Sequence, residues 1–331
     1  MPGTLRWGIL GPGGIAASQT TDLLGDGFVV TAVGSRSLSS AREFADRFGI
    51  EKAYGSYDEL VGDPDVDIIY VATPHSHHYA HARLALEAGK HVLVEKAFTV
   101  TQEQAAILAE LAESKSLVVL EAMWTRYLPH MVRLREIVAA GTIGDVRSIV
   151  VDHTQKLSAD PTSRLQDPAL AGGALLDLGI YPVSFAWDIL GEPTAIHASA
   201  SFTATGVDRS TSVILDYEEG RQAILTTALD ASGPNTATVQ GTEGWIAIDR
   251  VWYNATSFTV YNSDGDVVDT YESDVKNRGM QYQAAEVERL VDARFTAGVI
   301  LPPEESVRIM GTLDEIRRQI GLQYPAEILA V

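Results

Sequence analysis

Short apolar runs alternate with amphipathic stretches through the first third of the chain. Strands are expected over residues 5–10, 28–34, 67–72, 91–95 and 117–121. Between them, apolar positions recur at helical spacing over 14–24, 39–48, 77–89 and 101–114. Strands that alternate with helices in this way predict a parallel sheet with helices on both faces. After about residue 143 the period changes to two. Alternating segments run over 146–157, 195–205, 211–217, 223–229, 236–240, 245–248 and 258–261. Glu218-Glu219-Gly220, Thr242-Glu243-Gly244 and Ser263-Asp264-Gly265 separate several of them as tight turns. These predict a large open sheet, mostly antiparallel, preceded by a helix over 173–190 and followed by two over 279–295 and 304–320. The fold class expected is therefore α/β: a doubly wound N-terminal sheet of Rossmann type over 1–122, then an α+β domain over 123–331. The late helices are expected to pack back on the first domain.

Composition adds limits. The 331 residues are 46% hydrophobic and 21% charged, as in an ordinary globular protein, and the formal net charge is −19. That surface repels nucleic acid and anionic membrane, so neither is an expected partner. With no cysteine, disulfides, thiolate nucleophiles and Cys-ligated zinc are excluded. No secretory signal and no stretch of transmembrane length is read, and a cytoplasmic enzyme is expected. The outer face of the second sheet would expose Val, Ile and Thr, which predicts a homodimer or homotetramer formed through it.

The first strand runs into Gly11-Pro12-Gly13-Gly14-Ile15-Ala16, a G-x-G-x-x-A turn that opens a helix. Gly11 allows the tight turn, Gly13 admits a pyrophosphate to the backbone, and small Ala16 lets helix and strand approach. The helix N-terminus, with Gly14 and Ile15 in its first turn, offsets the phosphate charge. The second strand ends in Gly34-Ser35-Arg36-Ser37, without the carboxylate that binds a ribose 2′-hydroxyl. Arg36 suits a 2′-phosphate, with Ser35 and Ser37 adding hydroxyls, so NADP is predicted over NAD.

Chemistry gathers at strand ends. Lys96 closes the strand over 91–95, and such ends face the ligand crevice of an open α/β sheet. Thr73-Pro74-His75-Ser76-His77-His78 and Glu121-Ala122-Met123-Trp124-Thr125-Arg126 follow two other strands. Asp177 and Tyr181 lie four apart on the helix over 173–190 and share one face. His75, His77, His78 and His81 resemble a metal cluster, but no Cys or flanking Glu completes it, and no metal is expected. His77 and His81 are expected to be solvated.

These segments resemble the Gfo/Idh/MocA oxidoreductases over essentially the whole chain. They are most similar to the branch of NADP-dependent D-xylose 1-dehydrogenases and dimeric dihydrodiol dehydrogenases. Glu95-Lys96-Ala97 stands where that family has Glu-Lys-Pro, and Tyr181 stands where many relatives have His. Ser40 replaces the branch's second phosphate-binding arginine, with Arg42 nearby. The resemblance implies Tyr181 as general base, Lys96 as the cation that lowers its proton affinity, and Asp177 as acceptor for substrate hydroxyls. An ammonium at about 4 Å and an effective dielectric near 20 is worth roughly 4 kcal/mol, which brings a phenol from about 10 to around 7. Thr73, Pro74, His75, His78, Glu95, Trp124 and Arg126 are implied around the cofactor, and Trp124 also around the substrate.

The activity implied is hydride transfer from a cyclic polyol, an aldose at C1, to nicotinamide. Oxidation of a trans-dihydrodiol and reduction of a keto-sugar are the enzymatic alternatives. A catalytically silent NADP-binding sensor is the rival of another class.

Overall fold

The computed structural model describes residues 4–331. Two compact units emerge, one built from residues 4–124, 277–307 and 330–331, the other from 125–276 and 308–329.

In the first unit, strands β1 (Arg6–Leu10), β2 (Val29–Gly34), β3 (Lys52–Tyr54), β4 (Ile68–Val71), β5 (His91–Glu95) and β6 (Val119–Ala122) form a sheet in the order β3-β2-β1-β4-β5-β6, parallel throughout. Ile68–Val71 is buried along its whole length, as expected of a strand covered on both faces. The crossovers are α1 (Gly14–Gly25), α2 (Leu38–Phe48), α3 (Tyr57–Val61), α4 (His78–Glu87) and α5 (Gln102–Ser114). Ser37 caps α2 and Thr101 caps α5, while Gly49 ends α2 in the left-handed region. β3 and α3 were not foreseen from the pattern. The strand is three half-buried residues at the sheet edge, and the five-residue helix is set by a capping box, Ser56 with Glu59.

The second unit opens with α6 (Pro129–Ala139). Its sheet contains β7 (Val146–Thr154), β8 (Ala195–Phe202), β9 (Asp208–Asp216), β10 (Gln222–Ala228), β11 (Ala237–Gly241), β12 (Gly244–Ile248), β13 (Phe258–Asn262) and β14 (Val267–Tyr271), in the order β14-β13-β12-β11-β7-β10-β9-β8. Only β7 and β10 pair in parallel. β14 is one strand more than the pattern predicted; its exposed side chains give no apolar alternation. One sheet face, with Ile149, Val151, Val213, Leu225 and Val239, is buried, and α7 (Ile180–Leu190) packs on β7 and β10.

The helix expected over 173–190 is a five-residue π turn, Leu175–Gly179, running into α7. Pro182 supplies the reason. It has no N–H to donate to the carbonyl four residues back, and its ring crowds that carbonyl, so the backbone widens upstream. Residues Pro168–Leu190 are also long and apolar enough to cross a bilayer, which corrects the expectation that no stretch is. In the fold, 89% of that window is buried as core.

The chain returns to the first unit at Asn277. There α8 (Gln281–Ala293) adds Ala284, Val287 and Leu290 to a core that includes Trp7, Ile9, Tyr70 and Leu93. The Trp7 indole donates to Glu288 at 2.9 Å, and Gln283 to Gln19 at 2.9 Å. α9 (Pro303–Ile320) is divided between the units at Val307, and α10 (Ala326–Leu329) closes the second.

Candidate active site

The glycine turn takes the form its chemistry needs. Gly11 has φ +97°, and a Cβ there would lie 3.0 Å from Thr73 and 3.2 Å from the Ala72 carbonyl. A side chain is thus excluded by both backbone and neighbour. Gly13 is the N-cap of α1, with no side chain capping it and no acid in the first turn. Gly13 and Gly14 are exposed, and a Cβ on Gly14 would meet nothing within 4 Å. Ala16 is fully buried in the core behind the turn. An uncapped helix start that opens outward from a side-chain-free cradle fits a pyrophosphate.

At the end of β2, Ser35 is buried and its hydroxyl accepts from the Ser37 backbone N–H at 3.3 Å. The Ser37 hydroxyl accepts from Ser40 N–H in capping α2. Arg36, Ser40 and Arg42 are exposed, and among the described residues no carboxylate pairs with Arg36. A cation without a partner at this strand end fits the phosphate of an NADP ribose.

The loops after β4 and β5 are clamped together. His78, buried, faces the Ala97 carbonyl with Nδ1 and the Thr73 carbonyl with Nε2, both at 2.8 Å. His75 meets it edge-on at 5.5 Å. Glu95 is buried and accepts a hydrogen bond from the Tyr70 hydroxyl. Glu121 accepts from Phe98 N–H at 3.0 Å and from the Ser306 hydroxyl at 2.8 Å, bracing the segment that follows Lys96. Lys96 is only partly buried, between buried Glu95 and Ala97, and its peptide bond to Ala97 is cis.

Trp124, expected as a pocket wall, is 2% exposed. His81 and His77 depart from expectation. His81 lies 3.0 Å from the Thr73 hydroxyl and is packed against Tyr57, so it is half-buried and not freely solvated. Burial first, then the charge of neighbouring histidines and Arg36, lowers its pKa to about 4. His77, half-buried beside it, is lowered for the same leading reason.

In the second unit, the π turn carries Asp177 and α7 carries Tyr181, both buried. Asp177 accepts from Arg164 at 3.1 Å. The Tyr181 ring meets His153 at the end of β7 and Tyr253. Gln155 lies 2.9 Å from His153 and donates to the Tyr253 hydroxyl at 3.0 Å. None of Arg164, His153, Gln155 or Tyr253 was singled out by sequence; they share no motif, and Tyr253 lies 98 residues from Gln155. A cavity of about 270 Å³ beside this cluster is lined by Thr154, Gln155, Lys156, Asn235, Arg250 and Tyr253, among others.

The π turn is itself anchored. Asp208 accepts from Leu175 N–H at 2.7 Å and from Thr211 at 2.8 Å, and a Cβ on Gly173 would strike its carboxylate. Arg126, expected at the cofactor, is instead engaged inside this unit. Its guanidinium is buried, donating to Ser184 at 3.0 Å and to Asp188 at 2.7 Å, while Arg135 takes the other Asp188 oxygen at 2.8 Å. The guanidinium thus ties residues 125–127 to α7.

The family model described as "Oxidoreductase family, NAD-binding Rossmann fold" matches residues 5–123, and the GFO/IDH/MocA C-terminal domain matches residues 131–247. A D-xylose 1-dehydrogenase (NADP(+)) from Hypocrea jecorina is 38% identical, covering 98% of this chain and 94% of its own. A trans-1,2-dihydrobenzene-1,2-diol dehydrogenase from Mus musculus is also 38% identical, over 98% and 99%. Among solved structures, a 3-ketoreductase from Actinomadura kijaniata in complex with NADP superposes with a TM-score of 0.85 at 26% identity, covering 97% of this chain and 98% of that one.

Proposed function

The chain belongs to the Gfo/Idh/MocA oxidoreductase family, and we propose that it is an NADP-dependent dehydrogenase that oxidises a cyclic polyol, an aldose at C1 of the D-xylose or D-glucose type, to the lactone. The observation that carries the cofactor choice is Arg36, a cation with no carboxylate partner among the described residues, where an NAD enzyme places a carboxylate. The uncapped start of α1 supports the same reading.

When bound, the nicotinamide supplies the hydride acceptor for the C1 hydrogen. Tyr181 takes the C1 hydroxyl proton as the C1–O bond becomes a carbonyl. Lys96 stabilises the phenolate form of Tyr181, which makes the base available near neutral pH. Asp177, steadied by Arg164, accepts hydrogen bonds from the other ring hydroxyls and orients the sugar. The hydroxyl, amide and cationic lining of the adjacent cavity supports a polyhydroxylated substrate.

The second reading, oxidation of a trans-dihydrodiol, is favoured by the aromatic surround of Tyr181, since His153 and Tyr253 suit a flat ring. Absorbance at 340 nm with NADP and a panel of aldoses and cyclic diols separates the readings. Growth with an aldose is expected. Growth with a diol alone selects the second reading, and tight NADP binding without turnover selects a sensor. We further propose a homodimer through the outer face of the second sheet.

A further inference from the structure

The turn that carries Asp177 has no cap of its own. It begins at Ala174, whose side chain offers no acceptor to the free N–H groups of the first turn. The acceptor comes instead from Asp208, 33 residues beyond Leu175 and at the first position of β9. Asp208 is fully buried, and one carboxyl oxygen takes both the Leu175 N–H at 2.7 Å and the Thr211 hydroxyl at 2.8 Å. The other oxygen, also buried, has no hydrogen-bond partner among the described residues. A cap supplied by a different element pins the start of the turn to the sheet.

The residues just before the turn are fitted around that carboxyl group. Gly173, with φ +115°, passes so close that a Cβ would strike the second Asp208 oxygen. A Cβ on Gly172 would lie 2.6 Å from the Leu165 carbonyl oxygen and 2.7 Å from that of Arg164. The Gly173 N–H donates to the Leu165 carbonyl at 3.0 Å, and the Gly172 carbonyl accepts from the buried Tyr324 hydroxyl at 2.9 Å. Arg164 in turn donates to Asp177 at 3.1 Å. Asp177 is therefore placed twice over from one foundation. Its backbone follows Leu175 by two residues, and its guanidinium partner rides on the turn packed against Gly172 and Gly173. Tyr181 depends on Asp208 less, because His153 and Tyr253 hold its ring separately.

We infer that Asp208 is a positioning residue for the substrate: from β9 it sets the place of the Asp177 carboxylate and, through it, the fit of the polyol's ring hydroxyls. This rests on the functional reading above, in which Asp177 accepts from those hydroxyls, and extends the machinery to a residue that does not touch them. Hydrogen bonds weaken steeply as their geometry departs from the ideal, so a displaced Asp177 loses substrate binding while the base keeps its place.

The test is steady-state kinetics with NADP and whichever of D-xylose, D-glucose or a cyclic trans-diol wild type oxidises fastest. The variants are Asp208→Ala, Asp208→Asn, Thr211→Val, Asp177→Ala, and Asp177→Ala combined with Asp208→Ala or with Thr211→Val. For Asp208→Ala, KM for the polyol should rise roughly tenfold, with kcat within about threefold of wild type and KM for NADP unchanged. Asp208→Asn keeps an oxygen for the Leu175 N–H and should hold KM within about twofold of wild type. Thr211→Val removes one support of the carboxyl group and should raise KM by a smaller factor. In the Asp177→Ala background neither substitution should raise KM further, as expected of residues that act through one another. If Asp208→Ala does not fold, Thr211→Val, alone and with Asp177→Ala, decides in the same way. An unchanged KM, a loss confined to kcat, or additive effects in the double variants overturn the inference alone. A wild type that oxidises none of these substrates with NADP overturns the functional reading and the inference together.

Discussion

The ring of His153 meets the ring of Tyr181 edge-on, with 5.0 Å between centroids and the planes 72° apart. Tyr253 stacks on His153 at 4.2 Å and lies 5.1 Å from Tyr181. The phenol is thus held by its ring faces, and Tyr181→Phe removes the hydroxyl while keeping those contacts. Its Tm should stay within about 2 °C of wild type, while kcat falls by roughly two to four orders of magnitude. Lys96→Met is expected to lose a comparable amount. Steady-state kinetics decide it: a variant of either residue that keeps more than a tenth of wild-type kcat refutes the proposed acid–base roles.

Asp208 makes stability depend on pH. Burial, opposed by hydrogen bonds from Thr211 and Leu175, raises its pKa from 3.8 to about 7. Between those two values the folded protein holds a proton that the unfolded chain has released. The stabilisation is therefore complete below about pH 4 and is lost as pH rises to about 7. Asp208→Asn cannot titrate, so its stability relative to wild type should improve by roughly 2–3 kcal/mol between pH 5 and pH 8. Denaturant unfolding across that range measures the difference, and parallel curves for the two proteins would contradict the buried proton.

What the sequence made legible, and what it hid, follows from where each signal resides. β4 reads as Ile-Ile-Tyr-Val because both its faces are covered, and the G-x-G-x-x-A turn is local in the chain. Such features survive without knowledge of the neighbours. His81 was misjudged because its cover comes from Tyr57 on α3, a helix too short to announce itself by periodicity. The burial of Trp124 depends on packing that no motif encodes. The surround of Tyr181 was invisible for a related reason. Arg164, His153 and Tyr253 come from a turn, a strand end and a post-strand loop that only the folded second unit brings together. Pro182 was the one available signal for the π turn.

Arg126 is expected to matter to stability and not to the cofactor. Removing one partner of a buried ion pair leaves a desolvated charge, which typically costs 3–5 kcal/mol. Asp188 keeps Arg135, so Arg126→Ala should cost somewhat less, about 2–4 kcal/mol. The folded variant should bind NADP within about twofold of wild type. A large loss of NADP affinity without a loss of stability would return Arg126 to the cofactor.

The outer face of the second sheet supplies the last test. Ile214 pairs with Ile224 on the adjacent strand, and Ile224 with Val150 on the next, so the three stand in one row across β9, β10 and β7. They are 39%, 40% and 39% exposed, while their chain neighbours Leu215, Leu225 and Val151 are buried on the opposite face. An apolar row at the centre of a broad sheet is what an isologous interface requires, because a second copy presents the same row in the opposite sense. Ile224→Arg would place two like charges near the middle of such an interface without entering the core. Sedimentation at micromolar concentration should then give a dimer for wild type and a monomer for the variant, with the 340 nm activity of the variant serving as the check that it is folded. A wild-type monomer, or a variant that still sediments as the wild type does, would remove this face as the interface.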